Sequence, residues 1–241
     1  MIRTTAMSSR RFTPEQLLWP LDDVERKHAP TELFVAGDPD LLRAATCVAI
    51  VGSRAATPAG LARATRLASL LAARGVIVVS GLAAGIDTAA HTAAMAAGGR
   101  TIAVLGTSLD QCVPSENREL QHRIADEHLV VSQFAPGTPI RRRAFPRRNR
   151  TIALVSDAAV IVEATDRSGT INLGWEALRL RRPLWITAAL FADADLAFPN
   201  QLARYGANEL SDTTLATFLA QLPSGRRGSR PGGAQRASSG G

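Results

Sequence analysis

Cysteine is scarce in this sequence. Only Cys47 and Cys112 occur, far apart and with the first inside an apolar run. That excludes a disulfide framework and a thiolate zinc site and points to a reducing compartment. Long hydrophobic runs are missing too. Although 46% of the residues are hydrophobic, no stretch approaches the ~18 apolar residues that cross a bilayer. Residues 1–11 lack the apolar centre of a secretory leader. A cytoplasmic protein without membrane association is expected. Clusters of His, Cys and acids at metal-ligand spacing are also wanting, as are closely paired carboxylates. No metal and no cofactor is predicted.

Lysine is almost absent, with Lys27 the sole example among 28 basic residues, so the positive charge is arginine. The net charge of +7 suggests nucleic acid, but its distribution weakens that inference. Arg3, Arg10 and Arg11 lie in residues 1–11, and Arg226, Arg227, Arg230 and Arg236 lie in residues 224–241, with no acid in either segment. Taking those seven from the 28 basic residues leaves 21, equal to the 21 acids. The body of the protein is neutral, and local clusters have to identify any anionic partner.

What the sequence does have is one repeated grammar. Cys47–Arg54 is five apolar residues, a glycine, a serine and an arginine. A continuous apolar run ending in Gly predicts a strand buried on both faces at the centre of a parallel sheet. Thr57 and Pro58 then stand where a cap and first-turn proline open a helix. Strand, tight turn and helix N-terminus together make an anion site, although one such turn taken alone is as well explained by a solvated Arg54. The pattern recurs at 76–87 and at 101–110. Predicted strands are 47–51, 76–80, 101–105, 129–134, 159–164 and 183–187, with helices near 59–74, 87–98, 116–127, 148–156 and 171–182. This alternation predicts a doubly wound, mostly parallel α/β sheet of extended Rossmann-like type. Residues 1–19 are expected to be a flexible segment, 20–222 the domain, with 20–44 packing on its core, and 223–241 a disordered Arg/Gly/Ser tail.

A dinucleotide turn would carry Gly-x-Gly-x-x-Gly. Here Arg54 occupies the place of the second glycine, which counts against bound NAD. The strongest local signal is Arg141–Arg150, R-R-R-A-F-P-R-R-N-R, six arginines in ten residues. Phe145 and Asn149 interrupt it, and an apolar helix follows. Arginines entering a helix N-terminus oppose its dipole unless an anion sits among them. Guanidinium groups with an aromatic and an amide suit a nucleic-acid strand. Ser168-Gly169-Thr170 follows another predicted strand and makes either a second phosphate cradle or an ordinary cap. Asp87 and His91 share a helix face, and their better reading is structural, with Asp87 capping and His91 packing or orienting the turn.

Taken together, G-S-R at 52–54, S-G-L-A-A-G-I-D-T-A-A-H at 80–91, T-I-A-V-L-G at 101–106, F-P-R-R-N-R-T-I-A at 145–153, S-G-T at 168–170 and N-Q-L-A-R-Y-G-A at 200–207 resemble the DNA-processing protein A (DprA/Smf) family. The resemblance runs from about residue 21 to 210. It implies a Rossmann-like fold, single-stranded DNA binding, a homodimer, and a role in loading a RecA-type recombinase during transformation and recombination, with no enzymatic activity. Position by position, it places DNA contacts at Gly52, Ser53 and Arg54 and at Arg147, Arg148, Asn149 and Arg150. Ser80, Gly81, Gly85, Ser168 and Gly169 would support them, and Phe145 and Thr170 fall in the same motifs. Ala84 stands where the family usually has Arg. Neither an N-terminal helical DNA-binding domain nor a C-terminal winged helix is expected. Two other classes remain open. One is a nucleotide-binding sensor. The other is a nucleoside monophosphate phosphoribohydrolase of the lysine-decarboxylase-like (LOG) group, whose P-G-G-x-G-T turn is here reduced to S-G-T.

Overall fold

A computed structural model describes residues 9–18 and 20–223. The chain up to Ala44 forms β1 (Arg10–Phe12), α1 (Pro14–Leu17), α2 (Asp23–His28), β2 (Leu33–Gly37) and α3 (Leu41–Ala44). Strict alternation follows: β3 (Cys47–Gly52), α4 (Pro58–Ala72), β4 (Ile77–Ser80), α5 (Ile86–Ala96), β5 (Thr101–Leu105), α6 (Arg118–Glu127), β6 (Leu129–Ser132), α7 (Ala144–Val155), β7 (Ala158–Glu163), α8 (Thr170–Arg179) and β8 (Leu184–Thr187). Then come α9 (Ala188–Phe191), α10 (Phe198–Ala203), β9 (Ala207–Leu210) and α11 (Leu215–Gln221). Among the described residues no helix is long and apolar enough to cross a membrane.

All nine strands join one sheet in the order β1-β2-β6-β5-β4-β3-β7-β8-β9. The β1–β2 and β2–β6 pairs are antiparallel and every other pair is parallel. The fold is thus the expected doubly wound, Rossmann-like one. Side chains of β3 explain the winding. Cys47, Ala49 and Val51 pack with residues of α7 and α8, whereas Val48 and Ile50 pack with α4 and α5. A strand apolar on both faces needs a helix layer on each. The chain winds from β3 outward to β6, then returns through α7 to β7 on the other side of β3. The topological switch point therefore lies between β3 and β7, where ligands of open α/β sheets collect.

The structure moves several boundaries. Part of the expected flexible segment 1–19 belongs to the fold: β1 pairs with β2, and Leu17 and Leu18 are buried. Arg43 holds this segment down, its Nε and Nη2 donating to the Leu18 carbonyl at 3.0 and 2.6 Å. Residues 20–44 do more than pack on the core, because β2 is a strand of the sheet. The Glu25 carboxylate of α2 also meets the fully buried Arg182 guanidinium in an ion pair. The helix expected at 148–156 starts at Ala144. Pro146 lies in its first turn, where a proline ring is tolerated. The expected disordered tail lies outside the described residues.

Candidate nucleic-acid interface

The first turn leaves the sheet at Gly52, where a Cβ would overlap the Ile86 side chain and the Glu163 carbonyl. Ser53 N–H donates to that carbonyl at 2.7 Å, and Ile86 N–H donates to Ser53 O at 3.1 Å. Gly85, at φ 77°, presses against the Ser53 and Arg54 carbonyls, a backbone and a proximity that suit glycine alone. The first and second turns are therefore one unit. Arg54 leaves it exposed, its guanidinium 5.2 Å above the centre of the Phe145 ring. The anion seat at the start of α4 is not open, contrary to expectation. The Glu163 carboxylate fills it, accepting from Thr57 N–H at 2.8 Å and from the Thr57 hydroxyl at 2.5 Å.

The second turn is a buried support. Ser80 donates its hydroxyl to Ile50 O at 2.6 Å and is fully buried beneath the turn. Asp87 Oδ2 accepts from the Gly81 and Ala83 N–H groups at 3.1 and 3.3 Å. Burial raises this carboxyl above the ordinary range, and the nearby Arg148 charge opposes the rise. Leu82 adopts φ 57°, and Asn117 Nδ2 donates to its carbonyl at 2.9 Å. His91 is buried, with Nδ1 2.7 Å from Thr101 Oγ1. Since that hydroxyl donates to Val78 O at 2.8 Å, Nδ1 carries the proton. Burial, with the charges of His128 and Arg148, pushes the imidazole down to about 3. Asp87 thus holds the turn, from inside the helix rather than as its cap, whereas His91 packs in the core against Thr101 at the start of β5.

The arginine run does not form one cluster. Successive helical residues rotate by about 100°, and α7 sends its arginines to three places. Arg148 is only 6% exposed. Its Nη1 donates to Gly81 O at 2.5 Å and Val104 O at 2.9 Å, and a Cβ on Gly81 would overlap this guanidinium. Burial lowers its basicity, Asp87 raises it, and Arg54 lowers it again. Arg150 turns away to Glu176, which accepts from its Nε and Nη2 at 3.2 Å. Arg147 lies exposed over the Phe134 ring, 5.5 Å from its centre. Asn149 accepts from Arg148 Nε at 3.1 Å and donates to Gly169 O at 3.0 Å.

The third turn completes the site. Thr170 donates its hydroxyl to Gly52 O at 3.2 Å, and its N–H donates to Ser168 Oγ at 3.2 Å. The result is a hollow of about 340 Å³ at the switch point, walled by Gly52, Ser53 and Arg54, by Ser168, Gly169 and Thr170, and by Phe145 and Arg148. Next to it lies a second hollow of about 410 Å³, lined by Gly106, Phe134, Arg141, Arg143 and Arg147 among others, with no carboxylate in its lining. Arg143 stands at the N-cap of α7, so the unfavourable dipole contact expected of the run belongs to it. Phe145 separates the two hollows, its ring packed where a Cβ on Gly106 would stand. Sequence reasoning missed Glu163, Asn117 and the second hollow. Only the last had a visible signal, the first three arginines of the run.

Comparison with known proteins agrees with this fold. The family model described as DNA recombination-mediator protein A matches residues 10–221. A DNA processing protein, DprA, from Streptococcus pneumoniae is 44% identical over 153 residues, covering 64% of this chain and 54% of the relative. The chain thus spans about half the length of that curated relative. The crystal structure of DNA processing protein A from Streptococcus pneumoniae superposes with a TM-score of 0.75 at 34% identity, covering 91% of this chain and 75% of that one. The DNA processing protein A of Helicobacter pylori, described for its single-stranded DNA binding mode, superposes with a TM-score of 0.76 at 25% identity, covering 90% and 99%.

Proposed function

The chain belongs to the DNA recombination-mediator protein A family, and from that premise we propose that it binds single-stranded DNA along the carboxyl edge of its sheet, in DNA processing and recombination. The strand's phosphates meet Arg54 and the backbone of Gly52 and Ser53 on one wall of the first hollow, and Ser168, Gly169 and Thr170 on the other. It then passes Phe145 and reaches Arg141, Arg143 and Arg147. Gly81, Gly85, Arg148 and Asn149 hold these walls in place, Ser80 supports them from below, and Arg150 stands outside the track.

The observation that carries the reading is the Arg54–Phe145 stack. An exposed guanidinium over an aromatic ring, at the mouth of a glycine-walled hollow, offers a phosphate partner and a stacking surface within one nucleotide's reach. A duplex keeps the faces of its bases stacked inside, so it gains nothing from the ring. The role is one of binding. The pair that hydrolysis would need, Asp87 and His91, is occupied with backbone and hydroxyl partners of the fold. Family membership supports the wider setting that we assign: the cytoplasm, a homodimer, and delivery of the strand to a RecA-type recombinase during recombination or transformation. Fluorescence anisotropy with an oligothymidylate and with duplex of equal length tests the core of the reading. Tighter binding of the single strand is expected, and equal or tighter duplex binding would remove it.

A further inference from the structure

In sheets of this type the N–H groups that open the first helix, together with the positive end of its dipole, hold a ligand's phosphate. In this chain a side chain of the protein takes that place. Glu163 ends β7, and its two carboxylate oxygens accept from the Thr57 N–H and the Thr57 hydroxyl at 2.8 and 2.5 Å. Arg63 Nη2 stands 3.8 Å from the same carboxylate. Gly60 is fitted to it, since a Cβ there would overlap Oε2. The Glu163 side chain is 15% exposed, so the seat opens to solvent. Its carbonyl meanwhile accepts from Ser53 N–H. One residue therefore fixes both the start of α4 and the turn that carries Arg54.

We infer that Glu163 is a resident anion that determines the ligand class of this sheet edge. It denies the α4 seat to the phosphate of a free nucleotide and leaves only the outer cradle, which a polynucleotide backbone reaches from several points at once. A terminal phosphate gains from the helix N-terminus only when it sits in that seat. An internal phosphodiester of a bound strand has no need of it. This assignment rests on the DNA-binding reading for its biological sense but not for its test.

The test measures inorganic pyrophosphate binding, by thermal shift and calorimetry, without DNA. Wild-type protein should respond weakly. Glu163→Gln, which removes the charge and leaves a neutral side chain that a phosphate can displace, should bind pyrophosphate roughly tenfold more tightly, the scale of one helix-terminus contact with an anion. Adding Arg63→Ala to that variant should abolish the gain. A Glu163 that merely caps α4 would show lower stability in the Gln variant and an unchanged pyrophosphate response, and that result overturns the inference. Wild-type binding as tight as the variant's would overturn it equally. If the Gln variant does not fold in dilute buffer, its refolding yield with and without pyrophosphate decides: recovery supports the inference and no recovery defeats it. Oligothymidylate binding by the wild type is measured in parallel. Its loss would sink the DNA reading and leave the pyrophosphate comparison standing.

Discussion

Replacing Arg148 by alanine separates a buried structural cation from a ligand-contacting one. If this arginine met a DNA phosphate in the open, its loss would cost the fold about 0.5 kcal/mol or less and would lower the salt slope of DNA binding by roughly 0.7. Its surroundings argue otherwise. The guanidinium donates to the carbonyls of Gly81 and Val104, and the charge of the buried Asp87 lies close enough to perturb it. Alanine would leave two buried acceptors without their donor and a buried carboxylate without its cation. Unsatisfied buried groups cost about 1–3 kcal/mol each, so a loss of about 3 kcal/mol is expected from guanidinium denaturation at pH 7. That loss should depend on pH with a defined sign. Without Arg148, only its hydrogen bonds still oppose the desolvation of Asp87, and its folded-state pKa rises further above the unfolded value of 3.8. A carboxyl with a raised folded pKa costs nothing below its unfolded pKa and progressively more as pH climbs through the window above it. The penalty should therefore be greatest at neutral pH and shrink as pH falls toward 3.8, and adding Asp87→Asn should recover more than about 1 kcal/mol of it at pH 7. A variant within about 0.5 kcal/mol of wild type that has lost one phosphate's worth of salt slope would refute this reasoning.

Arg54→Ala should leave the unfolding midpoint nearly unchanged and lower the slope of log K against log salt for oligothymidylate by roughly 0.7, with an unchanged slope placing Arg54 outside the DNA track. Phe145→Ala should weaken single-stranded binding by about 1–3 kcal/mol, the scale of one base–aromatic stack, and leave the salt slope alone; anisotropy titrations at three salt concentrations distinguish the two effects. His91, pushed down to about 3 in the folded protein from 6.5, stays neutral where the unfolded chain takes up a proton. Stability should thus be unaffected above pH 6.5 and fall by up to about 1.4 kcal/mol per unit as pH drops toward 3, a dependence that His91→Gln should flatten in urea titrations.

The central sheet was legible because β3 to β8 are apolar runs long enough to stand out between turn residues. The edges were not, for a physical reason. β1 has three residues, two of them exposed arginines, and β9 exposes Asn208 and Glu209 in a strand of four. Edge strands carry polar groups and short lengths, so they lose the alternation that marks a strand. The same holds for the start of α7. Pro146 looks like a boundary in sequence, yet the first turn of a helix accepts it, and the element begins two residues earlier.

The walls of the candidate site were legible and the fate of its charges was not. Each wall is a strand end, and strand ends are written locally as an apolar run meeting Gly or Ser. What an arginine does depends instead on helix phase: α7 begins at Ala144 rather than near 148, so Arg147 belongs to the helix, and each successive residue turns by about 100°. Hence Arg147, Arg148 and Arg150, neighbours in sequence, face a hollow, the sheet and Glu176 respectively. The Glu163–Thr57 contact joins positions 106 residues apart, beyond any local pattern. It also explains why a glycine-poor first turn tells against a dinucleotide more firmly than the missing glycines alone. The anion that the helix dipole requires is already covalently present, so a ligand held at this edge has to be bound by the turns and arginines around the seat rather than by the seat itself.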